Sequence, residues 1–464
     1  MTNYKGTYFL KNEKRNGHEW SNSENILVNT ENSRQLKEEI LRLISSAKKC
    51  LKICSFIIND EEVFEALKQK LVQEDTVLFI LTSLDPRKLS SNYFTEEERS
   101  DESIKMHQRI ISTLYNLGGH VRTADNIHAK FIISDSSKAL VMSANLTSFS
   151  LNLNPESGIY FSSQEDLKSI EILFEKIFLK ATTIISFRKK GKGRSSIESL
   201  HKSIKSSDLN SLDQNNLVYT YEGLNNSIYQ KLISIIDDAN SYISIGTYSI
   251  VELENLPELL ESLRKAKERK VDIKFFCRAM NHRPDHLEGC KKLLELGISV
   301  YGDLYNHAKG IISEKGGMIF TANIDGKHGL KSGFEVGLIL KGKYLSSLRE
   351  FLNWQIDSAF FAAGHNPAIG DLHISESYKE NLKNISAIEI GETITIDTNS
   401  IEIKSELKKY PVYLLCSRKK VNGIKVKNKT FAVTCKGSKI LIKEEKKLYN
   451  RAQYMIKHKK LNII

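Results

Sequence analysis

Eight residues whose types suit chemistry at an anionic centre fall into two matching sets. The stretch NIHAKFIISD places His128 and Lys130 two apart, and YNHAKGIISE places His307 and Lys309 two apart, 179 residues later. Each pair is followed by an asparagine, Asn145 or Asn323, and then by a glutamate, Glu156 or Glu335. The glutamate follows its histidine by 28 residues in both sets; the asparagine follows by 17 in the first and 16 in the second. An imidazole can attack as a neutral base or deliver a proton as a cation. Lysine and asparagine can hold developing negative charge, and a carboxylate can fix a ring's orientation and tautomer. One isolated histidine is read as an ordinary core residue. A duplicated His-x-Lys, Asn, Glu array is read as a site.

The elements around these residues repeat as well. LGGHVRTADNIHAK (Leu117 to Lys130) aligns without gaps with LGISVYGDLYNHAK (Leu296 to Lys309). Upstream, LKEEILRLISSAKKCLKICSFII and IYQKLISIIDDANSYISIGTYSI each join an apolar helical period to a strand-like run. Each copy then carries a helical stretch (EEVFEALKQKL; LPELLESLRKAKERK) and another strand (TVLFILTS; VDIKFFCRA). Alternating strands and helices predict a mostly parallel α/β sheet in each half. Strand periodicity sets His128 and Lys130 on one face.

These residues resemble the phospholipase D superfamily, whose signature is H-x-K-x4-D followed by G/S-x-N. The first copy matches through His128, Lys130, Asp135, Ser143 and Asn145. The second departs: Glu314 stands at the aspartate, Thr321 at the small residue, and one residue is missing before Asn323. The resemblance covers roughly residues 24–370. It implies a duplicated α/β domain whose halves form a pseudo-twofold pair around one active site. One histidine would attack phosphorus to give a phosphohistidine, and the other would protonate the leaving oxygen. Lys130, Lys309, Asn145 and Asn323 would neutralise the phosphoryl oxygens, with Asp135, Ser143, Glu314 and Thr321 in support. No divalent metal or other cofactor is called for. By family precedent His128 is taken as the nucleophile.

We divide the chain into an N-terminal segment (1–23), half 1 (24–187), a flexible or partly helical linker (188–216), half 2 (217–370) and a basic β-rich C-terminal domain (375–464). Short strand candidates such as YPVYLLCS, KTFAVTCKG and KILIKEE mark the last of these, followed by a helix from about 446 to 460. The net charge is +12, and residues 401–464 alone carry 18 Lys and Arg against 4 Asp and Glu. That segment is therefore a candidate polyanion surface, with Arg418, Lys419, Lys420, Lys425, Lys427 and Lys429 as its densest run.

No uninterrupted apolar run reaches the 18 or more residues of a spanning helix, the N-terminus has no apolar signal core, and six scattered cysteines suit reduced thiols. The expectation is a cytoplasmic protein without membrane insertion. Cys277, His282, His286 and Cys290 have types that suit zinc, but Pro284 interrupts them and we read no metal site. No P-loop occurs, so any NTP-driven step belongs to a partner. The favoured function is a nuclease, DNA preferred over RNA, working in anti-phage defence beside a helicase or other NTPase, with a homo-oligomer left open. The alternatives are a phospholipase or phosphatidyltransferase acting on anionic lipid, and an inactive nucleic-acid-binding scaffold.

Overall fold

The structure, a computed structural model, describes residues 5–30, 33–73, 76–84, 101–124, 126–180, 183–190, 194–201, 204–205, 209, 216–386, 412–414, 431–436 and 439–444. It separates into a body, Thr2–Pro367, and a second unit beginning at Ala368.

The helices of the body follow from apolar spacing. Gln35–Ser46 buries Leu36, Ile40, Leu43 and Ile44; Ser227–Asp238 buries Ile228, Leu232, Ile235 and Ile236. These are the same steps of four, three and one, one apolar stripe per helix. Each leads into a central strand, Cys50–Cys54 or Tyr242–Gly246. Further along, Gly118 and Gly297 take positive φ (103° and 72°) just beyond the helices Asp101–Asn116 and Pro284–Glu295. A left-handed residue at that place closes a helix, and glycine adopts it without strain. The gapless alignment of the two copies begins there.

Among the described residues the body holds two sheets of ten strands each. In spatial order the first is Arg194–His201, Thr183–Lys190, His120–Thr123, Val77–Leu81, Cys50–Cys54, Phe131–Ser134, Lys138–Met142, Glu156–Tyr160, Leu27–Thr30 and Ser33–Arg34. The second is Thr7–Lys11, Phe361–His365, Ser299–Asp303, Asp272–Arg278, Tyr242–Gly246, Gly310–Ser313, Gly317–Phe320, Phe334–Leu340, Leu217–Tyr221 and Asn225–Asn226. Position for position the two orders correspond, and the duplicated α/β domain is plain.

Three expectations need correction. The sheets are mixed rather than mostly parallel. Only the three strands joined through helices run parallel in each (Cys50–Cys54, Val77–Leu81, His120–Thr123; Tyr242–Gly246, Asp272–Arg278, Ser299–Asp303). The strands carrying the motifs are joined by short turns, which force antiparallel pairing. The N-terminal segment is not separate: Thr7–Lys11 pairs antiparallel with Phe361–His365, supplying an edge strand to the second half. The linker is not simply flexible, because Thr183–Lys190 and Arg194–His201 form a hairpin that extends the first sheet through His120–Thr123. Its strands take in the spatial order of the first sheet the places that Phe361–His365 and Thr7–Lys11 take in the second.

One apolar cluster runs through both halves, joining Phe131, Val141 and Phe174 to Tyr219, Phe334 and Val336. Phe131 and Phe334 meet edge to face at 6.3 Å. A second cluster fills the space between the first sheet and its outer helices, with Leu36, Ile40, Leu67, Ile110 and Leu114.

In the second unit, helix Ile369–Ser386 is described, and Val412–Leu414, Phe431–Lys436 and Lys439–Glu444 form an antiparallel three-stranded sheet. Three of the expected strands are thereby present. Arg418, Lys419, Lys420, Lys425, Lys427, Lys429 and the expected helix at 446–460 lie outside the described residues. Among the described residues no helix is long and apolar enough to cross a membrane.

Phe9 of the N-terminal strand is 1% exposed and stacks on His286 at 5.7 Å. Phe9→Ala should cost about 3–5 kcal/mol, as large-to-small changes in a core do. Urea unfolding of the two proteins measures it. A cost below about 1 kcal/mol would show that the N-terminal strand is dispensable to the second half.

Candidate active site

His128 and Lys130 sit just before the strand Phe131–Ser134, and His307 and Lys309 just before Gly310–Ser313. Each of these strands runs antiparallel to its central neighbour, with Phe131 opposite Cys54 and Gly310 opposite Gly246. The histidines therefore lie beyond the carboxyl ends of the parallel strands, where open α/β sheets gather ligands. Lys130 and Lys309 are buried, and each donates its Nζ to the carbonyl of its own histidine, at 2.7 Å for Lys309. That bond fixes each ammonium against the backbone of its own histidine.

The halves then exchange partners. His128 Nδ1 donates to Glu335 Oε1 at 2.6 Å, and His307 Nδ1 shares a hydrogen bond with Glu156 Oε1 at 2.9 Å. Each glutamate serves the other half's histidine. The backbone repeats the exchange: His128 N donates to Phe334 O at 3.0 Å, and His307 N to Pro155 O at 3.0 Å. Phe334 N returns a bond to Asn126 O at 2.9 Å. Gly333, at φ +87°, lets these chains close, since a Cβ there would stand 3.3 Å from Asn126 O.

Ser143 and Thr321 hold the second oxygen of each carboxylate: Ser143 Oγ donates to Glu156 Oε2, and Thr321 Oγ1 to Glu335 Oε2. Threonine at the small-residue position thus keeps the hydroxyl the site uses. Glu314 is an equally conservative departure. The Asp135 carboxylate accepts from the backbone N–H groups of Lys48, Lys49 and Cys50 at 2.7–2.9 Å. Glu314 accepts from Asn240 at 2.6 Å and Tyr242 at 3.4 Å. Both acids brace the turn before the central strand. Backbone donors hold Glu314 down at about 2 against the opposing pull of burial. The missing residue is explained too. Ser134 pairs with Lys138 across a three-residue turn, whereas Ile312 pairs with Gly317 and Ser313 closes on Gly316 across a two-residue turn. The deletion lies in the hairpin, so Asn145 and Asn323 keep equivalent places, both buried.

The electrostatics of the two pairs differ. Burial depresses His128 to about 4. Burial would raise Glu335, but the facing His128 ring, Lys130 and the Thr321 hydroxyl carry it below its ordinary value. This pair is a neutral imidazole donating from Nδ1 to a carboxylate, which puts the ring's lone pair on Nε2. Burial lifts Glu156 to about 7 in spite of Lys309 and the Ser143 and Ser150 hydroxyls. The Glu156–His307 pair therefore keeps a proton close to neutral pH.

Aromatic walls at each histidine escaped the sequence reading. Phe56 lies 6.4 Å from His128, and Tyr248 5.5 Å from His307. Both stand at the same place in the repeated strand run, in CSFII and GTYSI, which was the available signal. Arg278, over the rings of Tyr248 and Tyr305, has no such signal; Ser83 takes its position in the first half.

The cysteine and histidine group assembles only in part. Cys277 and Cys290 Sγ lie 3.8 and 3.7 Å from His286 Nε2, all three buried, while His282 is exposed. The His286 ring is committed to backbone: Nδ1 accepts from Ile250 N and Nε2 donates to Arg278 O, both at 3.0 Å. His107 does the same in the first half, between Ile58 N (3.0 Å) and Ser83 O (2.8 Å), where Thr82 and Ile111 replace the cysteines. This second duplicated histidine is a backbone tie, and the hydrogen bonds fit that role better than a metal.

Two crossed histidine–glutamate pairs on a duplicated mixed sheet define a two-motif phosphoryl-transfer architecture. The first half carries a phospholipase D-like domain. The family model described as "Cardiolipin synthase, PLD-like domain" matches residues 40–178, which hold the first motif. The chain is similar to a cardiolipin synthase of Clostridium perfringens (strain SM101 / Type A), 31% identical over 163 residues, 34% of this chain and 31% of the relative. It is also similar to that of strain 13 / Type A, 29% identical over 165 residues, with the same coverage. It spans about a third of the length of these curated relatives. In fold it is similar to the phosphatidylserine synthase of Haemophilus influenzae Rd KW20, with a TM-score of 0.53 and 13% identity, over 84% of this chain and 96% of that one.

Thr321→Val removes a donor to buried Glu335 and an acceptor from Val336 N, which bonds the hydroxyl at 3.0 Å. An unpaired buried group costs about 1–3 kcal/mol. Thermal unfolding should show a lowered melting temperature for Thr321→Val, with Thr321→Ser close to the parent. Equal losses in both variants would mean that the hydroxyl is not what the site needs.

Proposed function

We propose that the chain is a metal-independent phosphodiesterase that transfers a phosphatidyl group from a phospholipid to an alcohol or to water through a phosphohistidine. The crossed His128–Glu335 and His307–Glu156 pairs carry this reading. Neutral His128 attacks, its Nε2–P bond forming as the P–O bond to the leaving alcohol breaks. The proton for that oxygen comes from the Glu156–His307 pair. Lys130, Lys309, Asn145 and Asn323 neutralise the phosphoryl oxygens. Water or an alcohol then enters on the His307 side, yields its proton to His307, and the N–P bond breaks. Assigning attack to His128 rests on the opposite shifts of the pairs, His128 down to about 4 and Glu156 up to about 7.

Likeness to the cardiolipin synthases supports lipid as the substrate. The basic residues 401–464 suit docking on an anionic lipid surface. The same charge supports the second reading, a nuclease acting on DNA in anti-phage defence with an NTPase partner.

Purified protein should turn over phosphatidylglycerol vesicles, and an excess of EDTA should leave the rate unchanged. Loss under EDTA restored by magnesium would overturn the mechanism. DNA cleavage without lipid turnover would transfer the assignment to the nuclease. His128→Ala and His307→Ala should each lower turnover by several orders of magnitude; half activity in either would mean two separate sites.

The pH profile follows from the same pairs. Below about 4 His128 is protonated and cannot attack; above about 7 the Glu156–His307 pair has lost the proton the leaving group needs. The rate should rise through the first value and fall through the second. A profile flat from pH 5 to 9 would contradict the assignment.

A further inference from the structure

Asn323 also lines a cavity of about 220 Å³ that opens beside the phosphoryl-binding position, together with Ser249, Glu252, Arg283, Asp285, Asp325 and Lys327. Asn323 is 7% exposed, and its Oδ1 has no donor among the described residues. Asp325 is 9% exposed and is fixed by the backbone N–H groups of Lys327 at 2.8 Å and His328 at 3.1 Å, both on Oδ1. The opposite wall is Glu252, at a left-handed φ of 51°, a strained backbone for a glutamate. A parallel bridge pairing Val251 with Asp325 holds it there, and Gly326 sits so close that a Cβ would meet Glu252 O at 1.9 Å. Its side chain is steadied by Asn255 Nδ2 at 3.0 Å.

The charges of this cavity do not balance from within. Arg283 is engaged by Asp285, Nη2 to Oδ2 at 2.6 Å. Two carboxylates, Asp325 and Glu252, then face Lys327 as the other cation of the lining. Burial first, and Glu252 after it, lift Asp325 to about 6, against the pull of its backbone donors and Arg283. A carboxyl so placed gains from a cation or a strong hydrogen-bond donor brought beside it. The acceptor Oδ1 of Asn323 asks for the same kind of partner.

The first half is balanced at the corresponding place: Asp60, at the position of Glu252, is paired with Lys37 at 2.8 Å. Thr147 stands where the second half has Asp325, and its hydroxyl is spent capping the helix Ser148–Asn152 through Ser150 N at 3.1 Å. The acidic cavity therefore belongs to the side of His307, where the reading above places the group that leaves phosphorus and the one that replaces it.

We propose that this cavity selects the exchanged alcohol, taking the ammonium of an amino alcohol between Asp325 and Glu252 while its hydroxyl points past Asn323 to phosphorus. This deepens the phosphatidyl-transfer reading and rests on it. The step balances: the acceptor O–P bond forms, the His128 N–P bond breaks, and the hydroxyl proton passes to His307.

Binding is tested apart from turnover. The full chain is titrated by NMR with ethanolamine, with ethanol and glycerol in parallel. Saturable ethanolamine binding is expected, at least tenfold tighter than either neutral alcohol. Asp325→Asn keeps the Oδ1 cap and removes the charge; Glu252→Gln removes the other charge without touching that cap. Each should weaken ethanolamine binding tenfold or more. Equal binding of ethanolamine and glycerol, or unchanged affinity in both variants, overturns the proposal. A second arm supplies equal ethanolamine and glycerol to phosphatidylglycerol vesicles and measures the product ratio. An excess of the ethanolamine product that disappears in Asp325→Asn supports the proposal; no preference in the parent overturns it. Intact ethanolamine binding without any lipid turnover leaves the ammonium site standing and sinks the phosphatidyl-transfer reading alone.

Discussion

Everything in the site depends on one exchange: the glutamate of each half holds the histidine of the other. Glu156 and Glu335 are both buried, and a buried carboxylate is costly unless ionic and hydrogen-bonding partners meet it. Neither half supplies those partners fully. Glu335 has Thr321 from its own half but needs His128, and Glu156 has Ser143 but needs His307. The desolvation cost of each carboxylate thus becomes a force holding the halves in register, and the shared apolar cluster around Phe131 and Phe334 acts in the same direction. Duplication is what makes the arrangement workable, because one fold repeated offers each end of the crossed bond twice.

Symmetry sets the positions and its breaking sets the roles. The histidine backbone bonds, lysine contacts and hydroxyl props recur on both sides, while the return bond to Asn126 is made by Phe334 and has no equivalent at Pro155, which lacks an N–H. The environments are not: burial keeps His128 neutral beside a charged Glu335, whereas Glu156 retains a proton near neutrality beside His307. The surroundings diverge in the same sense. Phe56 and Ser83 flank the first side; Tyr248, Arg278 and the acidic cavity at Asp325 flank the second. On the proposed reading the neutral imidazole attacks from the first side, and the polar groups lie on the second, where the alcohols would leave and arrive.

Much of this was legible in the residues themselves. The doubled His-x-Lys, Asn, Glu spacing pointed to all eight central residues, since a local motif survives in sequence wherever its chemistry needs it. The identity of each glutamate's partner was not legible. A spacing of 28 residues recurs in both copies, so it fits pairing within a half as well as pairing across halves; only packing decides. The place of Thr7–Lys11 was hidden for a similar reason, its partner strand Phe361–His365 lying at the far end of the body. Reading the sheets as mostly parallel over-weighted the strand–helix–strand units. The hairpin strands after them are short apolar runs, whose direction is fixed by turn length rather than by pattern.

Histidine ring nitrogen shifts measured in ¹⁵N-labelled protein test the crossed pairing most directly. In the parent at pH 7, His128 should show the neutral Nδ1–H form. Replacing Glu335 with Gln should move the His128 ring signals and leave those of His307 in place. Replacing Glu156 with Gln should do the reverse. Ring signals that instead follow the glutamate of their own half, His307 responding to Glu335 and His128 to Glu156, would contradict the account.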